Sequence, residues 1–391
     1  MSWREVFPQP VGILPFPFDF LILPHSNLWQ EHIPTVLLLK LEGLPSEWKF
    51  ILSLKEKDWE QALQNILSIS EEDVRNYNLS LITGSKQTVK DKTLAYLLDI
   101  VFSDRFDIRD TGRDDLNALV LYRKAQLLEG EGKIEDAIAM IENALRFVRD
   151  LSPLFYANLL LKKAKLFMEH KGVNYAVLAL LEELEEKLSE ADFLRAEVQF
   201  NLGNAYSSLG NLSKAISYYW KALDFFTVDK DPYMYALINN NMGLAYLSSG
   251  VSDLEDQVRL AYGVQSLRNA LKVFTKERYP KEWASTTMNY ANALQYLPTA
   301  NPAKNLLKAV ELYREVLDYR KEVGDELGYA RTLANMGNAL AHLGRLFEAR
   351  RHLIEAFEIF KKYGMEEEMN GIREILEEIH MLMEARHDGG A

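Results

Sequence analysis

Asn201-Leu202-Gly203-Asn204-Ala205-Tyr206, followed by Gly210, Lys214-Ala215, Tyr219 and Lys221-Ala222-Leu223, is a phrase that this chain repeats. It returns as Asn241-Met242-Gly243-Leu244-Ala245-Tyr246, as Asn289-Tyr290-Ala291-Asn292-Ala293-Leu294 and as Asn335-Met336-Gly337-Asn338-Ala339-Leu340. Self-similarity of this kind is the signature of stacked helical hairpins. Gly203, Gly243 and Gly337 fall where the two helices of a hairpin must approach closely, and Ala215, Ala309 and Ala349 fill the facing position. Tyr219, Leu223 and Phe226 recur at helical spacing and are expected to bury against the next hairpin. No hairpin buries its own face alone, so stability becomes approximately a sum over nearest neighbours. The predicted fold is all-α, a solenoid of antiparallel helix pairs.

These residues resemble the tetratricopeptide repeat family, whose units carry a small residue in the first helix, an aromatic or Leu three places on, and an Ala in the second. The best copy has Gly203, Tyr206, Ala215, Tyr219 and Ala222, and a second tight copy has Gly337, Leu340, Gly344, Ala349, Leu353 and Ala356. Two upstream copies are degraded: Ala125, Leu128, Gly132, Ala137, Ile141 and Ala144, then Ala164, Phe167, Ala176 and Leu180. Two more carry insertions between their helices, Val251 to Leu260 and Thr299 to Pro302, because Gly250 is followed by Gly263 and Ala270, and Pro298 by Ala309 and Tyr313. The second-helix Ala falls at Ala137, Ala176 and Ala215, a step of 39 residues. That step is similar to longer-helix members such as the kinesin light chain type and the bacterial arrays with Asn-rich first helices. Tyr279-Pro280-Lys281-Glu282-Trp283-Ala284 is similar to a phrase in bacterial arrays, some of them fused to caspase-like domains. The resemblance implies a right-handed superhelix of about six units over residues 114–364. It further implies a binding scaffold or adaptor with a concave groove for a peptide or protein partner.

Composition bounds the alternatives. The chain has 391 residues, 48% apolar and 26% charged, enough to bury an extended core and stay in solution. A formal net charge of -12 argues against a general nucleic-acid binder, which needs a basic stripe to neutralise phosphates. Cysteine is absent, which removes disulfides, thiolate zinc sites and any caspase-like nucleophile within the chain. The apolar stretch Val11 to Leu23 is broken by Pro15, Pro17 and Asp19 and is too short to span a bilayer. With no basic segment before an apolar run, no signal peptide is read and the expected compartment is the cytoplasm.

The first 113 residues are of a different kind. Seven of the 12 prolines lie between Pro8 and Pro45, so residues 1–45 read as an extended Pro- and aromatic-rich segment. Residues 46–113 read as a helical region with one degenerate repeat, since Phe50, Ile51, Leu54, Ala62, Ile66 and Leu67 keep a helical period. A further helix is expected over Val89 to Phe102, then a linker from Asp104 to Asp115. Two readings of the N-terminal segment compete. Phe16, Phe18, Phe20 and Trp29 cap the first hairpins, as terminal repeats require, or the strip is itself a ligand for a partner or for the chain's own groove. At the other end, residues 365–391 read as a capping helix and tail, with Ile372, Ile375, Leu376 and Ile379 on one face.

Asparagine gives the most specific functional signal. Its amide competes for backbone hydrogen bonds and disfavours helix interiors, yet Asn201, Asn241, Asn289 and Asn335 share one repeat position, with Asn204, Asn292 and Asn338 three residues on. Positions i and i+3 share a helix face. In the family the first helices line the concave side, so the resemblance places these amides along one groove. An amide offers donor and acceptor, which suits the backbone of an extended peptide. The matching upstream positions are Arg123 and Gln126, then Lys162 and Lys165, with Arg331 near the last repeat, so the expected groove runs from a basic end to an amide-rich end. The competing reading is that the asparagines bond to neighbouring helices and hold the repeats in register.

Catalytic signals are poor. The seven histidines form no HExxH or i, i+4 pair. Ser46-Glu47-Trp48-Lys49 lacks the companion motifs of a Ser-x-x-Lys enzyme, and Gly84-Ser85-Lys86 lacks the upstream Gly of a phosphate loop. No enzyme activity, cofactor or metal is expected. The second functional class is a peptide-controlled bacterial regulator with an N-terminal effector region joined to a repeat sensor. Self-association is a third possibility, because an incompletely capped array stacks on itself.

Overall fold

In a computed structural model the described residues are 46–55, 58–149, 153–188, 192–248 and 254–388. They form seventeen α-helices and no strand. The Pro- and aromatic-rich segment, with Phe16, Phe18, Phe20 and Trp29, lies outside them. The chain falls into two compact units that divide between Leu209 and Gly210. That boundary lies in the loop between the two helices of the repeat that reads most plainly in the sequence.

The first unit begins with a 3-10 turn, Ser46–Trp48, and a helical pair, α1 (Lys49–Lys55) and α2 (Trp59–Leu67). Trp48, Phe50, Ile51, Ala62 and Ile66 are fully buried there, and the Asp58 carboxylate caps α2 by accepting from the Gln61 N–H at 3.0 Å. Next come α3 (Glu72–Thr83) and α4 (Lys92–Phe102). The latter starts three residues later than the apolar pattern suggests, because Asp91 accepts from the N–H groups of Thr93 and Leu94 and sets the start. Of the expected linker Asp104 to Asp115, the last two residues already belong to the next helix and residues 104–113 form no helix. They are tied down nonetheless, since the Tyr96 hydroxyl donates to the Asp107 carbonyl at 2.8 Å and accepts from the Arg109 N–H at 3.1 Å.

The repeats of this unit are α5 (Asp114–Gly130) with α6 (Ile134–Val148), α7 (Pro153–His170) with α8 (Tyr175–Lys187), and the first helix α9 (Asp192–Ser208). Ala125, Ala137, Ala144 and Ala164 are at most 1% exposed. The degraded signature thus marks helix crossings at these four positions, but not at Ala176, which is exposed: the buried positions of α8 fall one residue later, at Val177 and Leu181.

The second unit contains α10 (Leu212–Phe225), α11 (Pro232–Leu247), α12 (Leu254–Leu271), α13 (Pro280–Tyr296), α14 (Pro302–Glu322), α15 (Glu326–His342), α16 (Leu346–Lys362) and α17 (Glu366–Asp388). Consecutive helices pack as antiparallel hairpins, and α11, α13, α15 and α17 also touch in succession, which lays the first helices side by side. One core cluster runs through Ala291, Ala309, Tyr313, Leu333, Leu340, Ala349, Leu353 and Phe360, and α17 closes it with Met369, Ile372 and Ile379. The close approach read at Gly337 is present. A Cβ there would lie 2.7 Å from Leu353 Cγ and 3.3 Å from the Ala349 carbonyl oxygen.

The two insertions correct the sequence reading in their form. The second, Thr299 to Pro302, is loop up to the first residue of α14. Between Tyr296 and Pro302 there is only a short loop, Asn301 caps α14 by accepting from the Lys304 N–H, and the extra length appears as a 21-residue helix. Of the first, residues 251–253 lie outside the described residues and 254–260 form the opening turns of α12.

Candidate functional site

The first helix α15 is held firmly at both ends. At its start Asp325 accepts from the Gly328 N–H at 2.9 Å, and the buried Arg320 of α14 donates to the Gly328 carbonyl. Burial lowers the Arg320 pKa. At its end Gly344 takes φ 74° and lets the Arg345 N–H return to the Leu340 carbonyl at 2.9 Å, a left-handed stop that favours glycine. The inner face of α15 buries Ala330, Thr332, Leu333, Met336, Gly337, Ala339 and Leu340. What remains outward is the stripe Arg331, Asn335, Asn338 and His342, spaced one turn apart. The same residue spacing on α13 gives Ser285, Asn289, Asn292 and Tyr296, all half-buried or exposed.

Hydrogen bonding differs sharply among the predicted site residues. In the first unit the side chains are occupied. Arg123 donates to the carbonyls of Ile100 and Val101 at 3.2 Å each, closing the end of α4, and to Gln126 Oε1 at 3.4 Å. Lys162 pairs with Glu129 at 2.7 Å and Lys165 pairs with Glu197, joining α7 to α5 and to α9. The basic charge read from the sequence is balanced by carboxylates of neighbouring first helices. Asn201 is 5% exposed and donates to the Glu197 carbonyl of its own helix at 2.8 Å. Asn204 is half-buried and has partners within the chain.

In the second unit part of the ladder is a relay of amides. Asn289 Nδ2 donates to Asn240 Oδ1 at 3.2 Å, and Asn240 Nδ2 donates to Asn241 Oδ1 at 3.1 Å. Asn289 is left with its Oδ1 as an acceptor. Asn292 is fixed from behind, because Gln295 Nε2 donates to the Tyr313 hydroxyl at 2.7 Å and that hydroxyl donates to Asn292 Oδ1 at 2.5 Å. Burial raises the Tyr313 pKa far above the ordinary phenol value, so it remains a donor. That bond occupies Asn292 Oδ1 and leaves its Nδ2 donor without a partner among the described residues. Asn335 and Asn338 make no side-chain hydrogen bond among the described residues. Arg331 reaches Glu368 of α17 at 3.5 Å, with half of its side chain exposed.

Two participants were invisible to position-by-position reading. Asn240 lies one residue outside the repeat phrase, although the run Asn239-Asn240-Asn241 signals it. Tyr313 sits in a second helix and reads as core. Among the described residues no group of three or more His, Asp or Glu side chains is arranged to hold a metal, and no helix is long and apolar enough to cross a membrane.

Two tetratricopeptide repeat family profiles match the chain, over residues 196–226 and 299–366. No curated protein matches it. Among solved structures it is similar to a signal transduction ATPase with a tetratricopeptide repeat sensor from Pyrococcus horikoshii, at 13% identity and a TM-score of 0.56. That match covers 88% of this chain and 53% of the other. The Cut9–Hcn1 hetero-tetramer of the APC/C is similar at 16% identity and a TM-score of 0.52, over 89% of this chain and 57% of the other. A Rap protein complexed with competence and sporulation factor covers 87% of this chain and 99% of its own at 14% identity, with a TM-score of 0.47. At these identities the property shared with the first two is the fold.

Proposed function

The chain is a tetratricopeptide repeat protein, and on that premise we propose that it is a non-catalytic scaffold that holds an extended peptide segment of a partner. The holding surface is the outward stripe of α13 and α15 in the second unit. One observation carries this reading: the hydrogen-bonding groups of Asn335 and Asn338, the Asn289 oxygen and the Asn292 amide nitrogen are left unused by the fold. Donors and acceptors that alternate along adjacent helices fit the N–H and C=O groups of an extended chain, whatever its side chains. Of the remaining predicted positions, Lys162 and Lys165 tie first helices to one another and Arg123 closes the end of α4, while Gln126, Asn201 and Asn241 bond within their own helices and Asn204 has partners within the chain.

The test is affinity capture from a lysate with the native chain and with a folded Asn335→Ala/Asn338→Ala variant. A partner retained by the first and lost by the second supports the reading. Equal retention by both removes it. If the retained species is a short peptide whose binding compacts the protein in X-ray scattering, the peptide-controlled regulator is the better form of the proposal. Retention of a large protein with no compaction favours the scaffold.

A further inference from the structure

Beyond the amides, each of the two stripes ends on a ring. Tyr296 lies four residues after Asn292 and His342 four residues after Asn338, so both stand about 6 Å along their helix from the amide pair and on the same face. Their rings meet edge to face, with centroids 6.5 Å apart and planes at 82°. Tyr296 is nevertheless 55% exposed, and His342 is exposed as well. A large ring held in this geometry with an open face is a platform that a third ring completes. On the other side of the amides, four residues before Asn289 and Asn335, stand Ser285 and Arg331. Among the described residues the Arg331 guanidinium is held only by a 3.5 Å contact to Glu368, and that contact shows which chemistry it takes.

We propose that this arrangement selects the side chains of the bound segment: an aromatic residue on the Tyr296–His342 platform and an acidic residue on Arg331. The proposal rests on the peptide-binding reading above. An extended segment that crosses α13 and α15 at their amides runs across the helix axes. Its side chains leave alternately toward the two edges of the stripe. One edge is aromatic and the other cationic, so the two selected residues are an odd number of positions apart. Adjacent helices stand about 8–10 Å apart, which is roughly three residues of extended chain. Spacings of one and three therefore satisfy both edges.

The test is selection of a displayed library of random linear nonapeptides on the full chain, followed by rebinding of the enriched pool to folded variants. The expected pool is rich in an aromatic residue one or three positions from Asp or Glu. Its aromatic preference disappears on Tyr296→Ala, with about a tenfold loss in affinity for the consensus peptide. Its acidic preference disappears on Arg331→Ala. A pool that depends on Asn335 and Asn338 but shows no aromatic enrichment, or keeps it on Tyr296→Ala, overturns the platform and leaves the amide reading standing. A pool indifferent to Asn335→Ala/Asn338→Ala, or no enrichment at all, overturns both.

Discussion

Asn289 donates its side-chain amide to the Oδ1 of Asn240 at 3.2 Å, bonding the first helices of two successive repeats across 49 positions of sequence. Asn240 passes the bond on to Asn241. The first-helix asparagines thus divide into those that bind the protein to itself and those that do not. Asn240→Ala breaks two partly buried bonds and is expected to cost about 1–2 kcal/mol. Asn335→Ala breaks none and is expected to change stability by less than about 0.5 kcal/mol. Urea midpoints of the two variants measure the difference.

Gly337 is a packing requirement. The added methyl in Gly337→Ala would meet Leu353 Cγ at 2.7 Å, and Leu353 is fully buried. Overpacking costs about 1–3 kcal/mol, against a helical gain of up to about 1 kcal/mol for Ala over Gly. A net loss of about 1 kcal/mol is expected, seen as a lower urea midpoint at unchanged slope.

The ion pairs between first helices in the first unit act as ties. Lys165→Glu places a second carboxylate beside Glu197 and should lower the melting temperature. Adding Glu197→Lys to it restores the pair in reverse. A double-mutant cycle on alanine variants is expected to give about 0.5–1 kcal/mol, less at high salt, because both side chains are partly exposed. A coupling near zero would mean that the pair contributes nothing to register.

Glu326 gives the chain a defined acid response. Its carboxylate accepts from Lys362 Nζ and from the Tyr363 hydroxyl at 2.7 Å, and the Lys362 hydrogen bond is the first cause of a pKa below the ordinary 4.5. A lowered folded-state value means that the contribution is present above the unfolded value and is lost as pH falls through the folded one. Glu326→Gln should therefore narrow its stability deficit against the native chain as pH drops below about 4.5. Paired thermal melts from pH 6 to pH 3 check the convergence.

The repeat phrase made α9 to α11 and α13 to α16 legible, because Gly and Ala at crossings leave a fixed trace. Helix α3 left none, since its buried set includes Asn78 and Ser80 beside Val74 and Tyr77 and breaks the apolar period. The charge of the upstream groove was misleading for a reason of distance. The carboxylates that balance Lys162 and Lys165 lie 33 and 32 residues away, and nothing local marks them. The amide stripe was legible as a position, but which amides remain unused depended on Asn240 and Tyr313, which only packing brings to them.

The central claim is that the ligand backbone lies on the α13 and α15 amides and not on the upstream lysines. The measurement that tests it most directly is calorimetric titration of one captured or selected peptide into the native chain, Asn335→Ala/Asn338→Ala, and Lys162→Ala/Lys165→Ala, each first shown to be folded. Two lost hydrogen bonds of about 1 kcal/mol each predict a roughly 10- to 30-fold weaker Kd for the asparagine variant and a Kd within about twofold of native for the lysine variant. An unchanged Kd on losing both asparagines, or a large loss confined to the lysine variant, would contradict it.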